Sequence, residues 1–451
     1  MKLRKVYLGL LAVLITTMGA SAEGITKKWT LKECLDYAKA NNITVQKSRV
    51  SEASAKTDVL HAKAALRPTL SANMTQMVNY RPLQESMGNF INGNTTSSSG
   101  NKVTQSGSYG INASWKVWDG GVTRNTIRLR ESDLKTSQLQ TETEIKNIEE
   151  QIAELYIQIL YSKEAIKVND KIYAKDSLLY VRGESMLKNG KMSRSEVKEL
   201  EAAMNESKYN VVKSQTVTDG YLLQLRQLLE LQPGEKMDVA DTKLAEEAAL
   251  STIPSKLKVY EDALKYRPEI LSGQENINSS ALQLKIAKAG FMPQVSLTGG
   301  IGDNHMSGTN DNFGKQMKTN LTGSVGVTLS IPIVDGRQTK SAIEKAQYAQ
   351  TTATLDLQDL QKQLYSKIET YQQNAISNQQ RYRSAMSNVS SQEENYNSIA
   401  EQFKVGLKSV VEVTTARASL LSAEQEMLES KYSTLLNLAM LNFYSGGQIK
   451  I

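Results

Sequence analysis

The feature that most constrains this chain is the stretch from Arg337 to Val405, 69 residues (405 − 337 + 1) without a glycine or a proline. Apolar or small side chains recur along it at Leu357, Leu360, Leu364, Ile368, Tyr371, Ala375, Tyr382, Ala385, Val389, Tyr396, Ile399 and Phe403. The period of about 3.5 residues predicts one helix, roughly 100 Å long, with a narrow apolar stripe. Coiled-coil packing against other long helices is therefore expected.

A second stretch of the same kind runs from Val122 to Arg182, again without glycine or proline. On one of its faces lie Ile145, Ile148, Ile152, Leu155 and Ile159. Two such helices in one chain predict an internal repeat.

The N-terminus has the features of an export signal. Three cations precede an apolar core from Val6 to about Ile15, and Ala20-Ser21-Ala22 fits signal-peptidase cleavage. Residues 1–22 are therefore interpreted as a signal peptide. An uncleaved membrane anchor is disfavoured because the apolar run is shorter than the ~18–20 residues that span a bilayer. Cys34, the single cysteine, lacks the small residue that lipidation requires before it and is expected to pack within a helix.

Composition excludes other classes. Removing the three cations of the signal peptide reduces the net charge from +7 to +4, so the charge gives little support for nucleic-acid binding. The mean hydropathy of −0.41 excludes a bundle of membrane-spanning helices. Insertion into a membrane would require strands.

Four segments, 69–75, 109–117, 295–301 and 321–331, alternate apolar with small polar residues. Each has the length of a tilted transmembrane strand. Any one of them could instead belong to a half-buried soluble sheet. An isolated hairpin is only marginally stable in water, however, and polar loops at 81–108 and 302–320 join the strands in pairs. We therefore expect two membrane-spanning hairpins, at 68–118 and 293–334.

Three pairs of motifs define the duplication. Ala62 to Pro68 matches Ala287 to Pro293, and the Asp-Gly pair after the second strand recurs at Asp119 and Asp335. The turns Gly190-Lys191-Met192-Ser193 and Gly406-Leu407-Lys408-Ser409 also match. The predicted repeats are 23–230 and 256–451, each a helix, a strand hairpin and a long helical hairpin. The connector is 231–255, where Pro233 and Pro254 interrupt the pattern.

With these motifs the chain resembles the TolC family of outer-membrane channel proteins over essentially all of its mature length. The matching features are a leading helix (31–42), Arg267-Pro268-Glu269, prolines at the strand starts, Asp-Gly after each hairpin and a Gly-x-x-Ser turn in each helical hairpin. The sequence departs at Asn42-Ile43, where the family often has Asn-Pro.

Four strands cannot close a membrane barrel, which needs about eight. Eight strands from a dimer would need bulky inward side chains, whereas the polar faces carry Ser, Thr, Gly and Asn, so twelve or more strands are favoured. The resemblance implies a homotrimer. The predicted fold class is an internally duplicated α+β membrane protein, with a long α-helical coiled-coil barrel and four strands contributed to a trimeric twelve-stranded transmembrane β-barrel.

The resemblance also implies the functional residues. Gate positions are Phe403, Lys408, Ser409, Glu412, Thr415, Ser195 and Glu196, and adaptor-docking turns contain Gly190, Ser193, Gly406 and Leu407. We expect Lys408 to pair with Glu196, on the same or a neighbouring protomer, as a closing latch and Glu412 to form a threefold ring of carboxylates. The alternative is that Lys408 and Glu412 are solvated helix charges. Trp115 and Trp118 are expected near a membrane interface.

No catalytic, cofactor or metal site is predicted, since the two histidines, His61 and His305, have no metal-ligand spacing and are interpreted as surface residues. The predicted function is the exit duct of a tripartite efflux pump in the outer membrane of a Gram-negative bacterium, with its helices in the periplasm. Its expected partners are a periplasmic adaptor, an inner-membrane transporter and outer-membrane lipid, without nucleic acid. Two alternatives stay open, an exit for secreted polypeptides and a periplasmic coiled-coil adaptor without a pore.

Overall fold

The computed structural model describes residues 27–82, 88–91, 94–97, 102–240, 246–307 and 311–449. The predicted signal peptide, 1–22, lies outside the described residues. Up to residue 240 the elements are β1 (Lys27–Trp29), α1 (Leu31–Asn41), α2 (Ile43–Ala64), β2 (Thr69–Tyr80), β3 (Gly88–Ile91), β4 (Asn94–Ser97), β5 (Val103–Trp118), α3 (Val122–Lys188), α4 (Arg194–Leu228) and β6 (Met237–Val239). They continue with α5 (Glu246–Ala249), α6 (Lys256–Tyr266), α7 (Pro268–Lys288), β7 (Gln294–Met306), α8 (Phe313–Thr319), β8 (Thr322–Ser330), α9 (Gln338–Lys404) and α10 (Val410–Tyr444).

The helical hairpins repeat residue for residue. Helices α3 and α9 each have 67 residues, and α4 and α10 each have 35. All four boundaries recur at a spacing of 216, as from Lys188 to Lys404. Helix α3 continues through Gly183, where a Cβ atom would lie 2.6 Å from Leu200 Cδ1, so the glycine permits close approach of α4.

The chain divides into two compact units. The first comprises 27–48, 141–268 and 361–449, as far as these are described. It contains a parallel β1–β6 ladder, to which the Tyr156 hydroxyl donates at the carbonyls of Trp29 and Ala240, both at 3.3 Å. Asn42 ends α1 and begins α2, because its side-chain oxygen accepts from the amide of Thr44 at 2.8 Å. This contact caps α2 without the proline that the family often has there.

A buried polar network ties three helices of the first unit together. Glu150 on α3 accepts hydrogen bonds from the hydroxyls of Tyr371 on α9 (2.6 Å) and Tyr444 on α10 (3.0 Å). Lys367 on α9 forms an ion pair with the same carboxylate at 2.7 Å. The three contacts lower the pKa of Glu150 even though burial, the largest single influence, opposes them.

The second unit comprises 49–140 and 269–360, as far as these are described. Its sheet has the order β2-β5-β7-β8 with every neighbouring pair antiparallel. Strands β5 and β7 come from different repeats, so their pairing joins the two halves of the duplication into one sheet. Beside the sheet, the Ser132 hydroxyl of α3 contacts Glu275 and Ser279 of α7 at 2.5 and 2.8 Å.

The sheet has one apolar and one small polar face. Cross-strand partners lie on the same face, and the pairs Ala72–Ile111, Ile111–Ile301 and Leu297–Val327 show that the apolar residues of all four strands lie together. The opposite face carries Asn73, Asn112 and Thr298, among other small polar residues. The predicted alternation thus forms a continuous two-faced sheet.

The regions expected to be polar loops contain regular structure. Between β2 and β5 lies the short β3–β4 hairpin. The interval 302–320 contains the end of β7 and helix α8, whose Gln316 amide bonds both the backbone nitrogen (2.9 Å) and the carbonyl oxygen (3.1 Å) of Met306. The expectation of a loop there was wrong, because one buried glutamine supplies backbone-like partners to β7.

Candidate functional site

The two helical turns share one backbone geometry. Gly190 and Gly406 have φ values of +68° and +80°, a left-handed conformation that favours glycine. At the first turn the amides of Gly190 and Lys191 donate to the carbonyls of Leu187 and Met186. At the second, the amides of Gly406 and Leu407 donate to the carbonyls of Phe403 and Gln402. Both patterns are Schellman motifs, which satisfy the last carbonyls of α3 and α9.

Each turn leads into a helix that begins with a capping box. The Ser193 hydroxyl accepts from the amide of Glu196, and the Glu196 carboxylate accepts from the amide of Ser193 at 2.8 Å. Ser409 and Glu412 repeat the arrangement at the start of α10, with 2.9 Å for the second bond. The two reciprocal bonds fix where α4 and α10 begin.

Lys408 does not form the expected latch with Glu196. Its Nζ atom lies 2.6 Å from the carboxylate of Glu412, one helical turn further along the same chain. Glu196 bonds Ser193 instead. The latch prediction is therefore wrong for the contact within one chain, because an i,i+4 partner lies nearer than the other hairpin.

Because of this difference, the pKa values of the two carboxylates are lowered by different groups. The Lys408 ammonium, followed by the amide and hydroxyl of Ser409, lowers the pKa of Glu412 to about 2. At the first turn, where Met192 replaces the lysine, hydrogen bonding to Ser193 alone lowers the pKa of Glu196. Each carboxylate is held in its ionised form, but only that of Glu412 is neutralised by a side chain beside it.

Phe403, an expected gate residue, lies in the hydrophobic core below the turns with 2 % of its surface exposed. The cluster around it consists of Leu179, Leu200, Tyr396, Val410, Val413, Ala416 and Leu420, with Met192 packed against it. In this chain its aromatic ring packs against side chains of both hairpins. Sequence reasoning identified the position but not the direction of the side chain.

The other predicted residues lie on the surface around the turns. Gly190, Ser193, Ser195, Ser409 and Thr415 are exposed. Leu407 at the second turn is 74 % exposed and its neighbour Val405 71 %, so the Gly406 turn presents apolar surface. The structure thus brings the docking and gate positions together at the hairpin ends, except for the buried Phe403.

Sequence reasoning missed a buried ion pair near these turns. Arg417 of α10 lies 2.8 Å from Asp176 of α3, and their side chains are only 7 % and 2 % exposed. Glu206 of α4 approaches the same guanidinium at 3.6 Å. Burial raises the pKa of Asp176, and the Arg417 guanidinium opposes that shift. A charged residue on the face of α10 that carries Val413 and Leu420 was the signal in the sequence.

Trp115 and Trp118 lie on the same face of the sheet. Trp115 pairs with Leu297, and a register shift between Lys116 and Trp118 places Trp118 opposite Val295. In a regular strand, residues three apart would point to opposite faces, so the bulge brings both indoles onto the apolar face. They are 38 % and 49 % exposed, and the Trp115 indole donates to the carbonyl of Leu66 at 2.9 Å.

The remaining predictions from the sequence concern metal clusters, membrane-spanning helices and the histidines. Within the described ranges, no cluster of three or more His, Cys, Asp or Glu side chains is placed to hold a metal ion. None of the helices that the structure describes combines the length and apolarity needed to cross a membrane. His305 is not an ordinary surface residue, because its ring is stacked on Tyr109 and contacts Phe313 edge-on.

The order of elements and both turns are reflected in a family model, described as outer membrane efflux protein, that matches residues 34–230 and 259–447. The chain belongs to the outer membrane efflux protein family. The predicted resemblance to TolC proteins is thereby confirmed.

Relatives within this family are distant. The chain is 23 % identical to the outer membrane protein TolC of Escherichia coli over 444 residues, covering 95 % of this chain and 84 % of that protein. It is 23 % identical to the alkaline protease secretion protein AprF of Pseudomonas aeruginosa, over 57 % of this chain and 52 % of the relative. The match to TolC of Vibrio cholerae has 24 % identity and covers 46 % of each chain. The chain thus matches only about half the length of the latter two.

Solved structures of outer-membrane channels share the fold of this chain. CusC has a TM-score of 0.78 at 15 % identity, covering 96 % of both chains. VceC of Vibrio cholerae has a TM-score of 0.76 at 16 % identity, with 93 % of this chain and 97 % of that chain covered. The open state of the MtrE channel of Neisseria gonorrhoeae has a TM-score of 0.75 at 17 % identity, covering 93 % of this chain and 89 % of that chain.

Proposed function

We propose that this protein is the passive exit duct of a tripartite efflux pump in the outer membrane of a Gram-negative bacterium, and that it acts as a homotrimer. The observation that carries the proposal is the two-faced antiparallel sheet. Its edge strands, β2 and β8, pair on one side only among the described residues. Because they run antiparallel to each other, β8 of one copy can pair with β2 of the next in the same pattern.

The side chains favour a wide barrel. Val325, Val327 and Leu70 on the apolar face are 84 %, 71 % and 75 % exposed, which suits contact with lipid. The opposite face carries small polar side chains that would not fill an eight-stranded interior. Three copies, with twelve strands, leave an aqueous passage and close every edge.

The trimer is tested by native mass spectrometry in detergent together with conductance in planar bilayers. We expect three chains per particle and stable open or gated steps. A monomer that inserts no channels would contradict the proposal. Lipid-attached quenchers provide a separate test of the barrel face, since Trp115 should be quenched in reconstituted protein. An unquenched Trp115 would place the apolar face elsewhere.

The helical turns are proposed as the periplasmic end, where an adaptor protein docks and couples the duct to an inner-membrane transporter. The exposed apolar surface at Val405 and Leu407, beside the polar turn at Gly190, supports this assignment. Leu407→Asp should reduce adaptor binding while trimer formation and conductance persist. Unchanged adaptor binding would move the docking site away from this turn.

Gating is proposed to involve the half-buried charges and the exposed hydroxyls of the turns, Ser195, Glu196, Lys408, Ser409, Glu412 and Thr415. Since Lys408 neutralises Glu412 locally, a ring of three Glu412 carboxylates would favour cations only weakly. Lys408→Met should therefore increase cation selectivity, measured as a reversal potential across a salt gradient. An unchanged reversal potential would place these charges away from the passage.

Export of polypeptides is the second candidate, because one relative is named as a protease secretion protein. A deletion strain distinguishes the two cargo classes. Accumulation of small dyes with normal secretion supports efflux, whereas loss of one secreted protein with normal dye export supports secretion.

A further inference from the structure

A pocket lies at the end of the sheet where β2 and β7 finish. Strands β2, β5 and β7 and helix α8 border an open cleft of about 450 Å³. Its lining side chains include Gln76, Gln105, Tyr109, His305, Asp311 and Phe313. The volume falls in the range of small-ligand sites.

The walls of this pocket are held by specific contacts. The Tyr109 hydroxyl donates to Gln76 Oε1 at 2.9 Å, and the Tyr109 ring stacks on His305 with centroids 5.9 Å apart and planes at 10°. Phe313 meets the His305 ring edge-on at 4.9 Å. The pocket is thus built from side chains of four separate elements, β2, β5, β7 and α8.

Gly107 allows these side chains to close over β5. A Cβ atom at this position would lie 2.5 Å from both Gln76 Oε1 and His305 Cε1. Gly107 pairs with Gln76 on one side and with His305 on the other. Any larger residue would push the amide and the imidazole apart, so the glycine sets the positions of two side chains that line the pocket.

The pocket interrupts an otherwise apolar face. Cross-strand pairing places Gln76, Tyr109 and His305 on the same face as Ile111 and Ile301. Asp303, which pairs with Tyr109 and is 8 % exposed, adds a carboxylate to this polar end. A face that contacts hydrocarbon becomes polar where the membrane ends, so the pocket would lie at the level of lipid headgroups.

The lining chemistry selects among ligands. Amide and carboxylate side chains form directional hydrogen bonds with hydroxyl groups, and aromatic rings offer flat apolar faces. The pocket-lining residues include no lysine or arginine, and Lys315 nearby is paired with Asp311 at 2.6 Å. A phosphate would find no cation in the lining, whereas a ring with several hydroxyls matches both the amides and the aromatic faces.

We propose that this pocket binds a saccharide, supplied by the headgroup of a glycolipid at the membrane surface. The choice of a lipid-linked sugar over a free one rests on the proposed function, which makes the apolar face the membrane face. The saccharide chemistry itself rests only on the pocket.

The experiment uses the purified full-length protein in a detergent without sugar groups. Binding is measured by surface plasmon resonance with three probes, namely rough lipopolysaccharide, its deacylated core oligosaccharide, and bicelles of phosphatidylethanolamine and phosphatidylglycerol. We expect both saccharide probes to bind, and the phospholipid bicelles not to. Gly107→Ala, which displaces the Gln76 and His305 side chains, and Phe313→Ala, in the exposed part of α8, should each weaken binding about tenfold, equivalent to about 1.4 kcal/mol.

Tyr80→Ala is the matched control, because Tyr80 is 67 % exposed on the same face and does not line the pocket. Its binding should equal that of the unaltered protein. Equal binding of phospholipid and saccharide probes, equal loss in the control, or no saccharide binding would overturn the proposal. Conductance of the same preparations separates the two proposals: a conducting trimer without saccharide binding refutes only the pocket, and oligosaccharide binding without channels refutes only the duct.

Discussion

The turn at Gly190 and the turn at Gly406 use the same backbone hydrogen bonds but present different side chains. Exposed Lys191 follows the glycine of the first turn, whereas exposed Leu407 occupies the repeat-related position of the second. Both retain the glycine and the Ser/Glu capping box. Duplication has therefore preserved the residues that fix the backbone, while the surface around them has diverged.

The hairpins also differ inside. Seventeen residues of α10 are buried but only six of α4, so the returning helix of the second hairpin is packed more deeply than that of the first. Phe403 is buried, whereas its repeat mate Leu187 is 36 % exposed. Arg417 enters a buried ion pair, whereas its mate Glu201 pairs with Lys198 near the surface. Equivalent positions thus carry different energetic weight.

The ion pair gives the largest expected effect. Arg417→Leu should lower the free energy of unfolding by about 3–5 kcal/mol, because Asp176 is left buried without its partner. Chemical denaturation followed by circular dichroism measures it. Lys198→Ala, which breaks the exposed pair of the first hairpin, should cost about 0–1 kcal/mol. Arg417→Met with Asp176→Leu should regain most of the loss, and equal effects at the two pairs would end the contrast between hairpins.

Removal of Phe403 should have the next largest effect. Phe403→Ala should cost about 3 kcal/mol, the lower end for phenylalanine, since the hairpin end can partly relax into the cavity. Leu187→Ala should cost under about 1 kcal/mol because its side chain is partly solvated already. The same denaturation experiment compares them. A smaller loss of unfolding free energy for Phe403→Ala than for Leu187→Ala would show that Phe403 is not the more important core residue.

The glycines test the shared backbone. Gly190→Ala and Gly406→Ala should each cost about 1–2 kcal/mol, since both φ values are positive and neither site has neighbours that would contact the new methyl group. Thermal unfolding of the two variants should therefore shift by similar amounts. A large inequality would mean that one turn changes its conformation on substitution.

The smallest effect concerns pH. The pKa of Glu412 is lowered to about 2, so its contribution to the cap is fully present above the ordinary value of 4.5 and is lost as pH falls towards 2. Lys408→Met, which copies Met192 of the first turn, should raise that pKa and shift the loss to higher pH. Carbon-13 NMR of labelled glutamate, assigned with Glu412→Gln, measures the titration. An unchanged midpoint would show that Ser409 alone holds the charge.

The sequence predicts those parts of this molecule that depend on local pattern. Alternation at 109–117 and the Gly-x-x-Ser turns lead directly to β5 and to the helical hairpins. The partner of Arg417 lies 241 residues away in the chain, and no local pattern identifies it. The inward direction of Phe403 depends on which face of a narrow stripe meets the other hairpin. Lys408 and Glu412, by contrast, stand four residues apart, and their pairing was readable from that spacing.

The edges of β2 and β8, which have no strand partner within the described part of the chain, have a consequence for the newly made protein. Gln316 covers the part of β7 that extends beyond β8, but the twelve residues of β2 and the nine of β8 remain available to any other strand. Long open edges promote aggregation. Before the proposed assembly, the open edges can pair with strands of other proteins. The yield therefore depends on whether identical copies pair with these edges first.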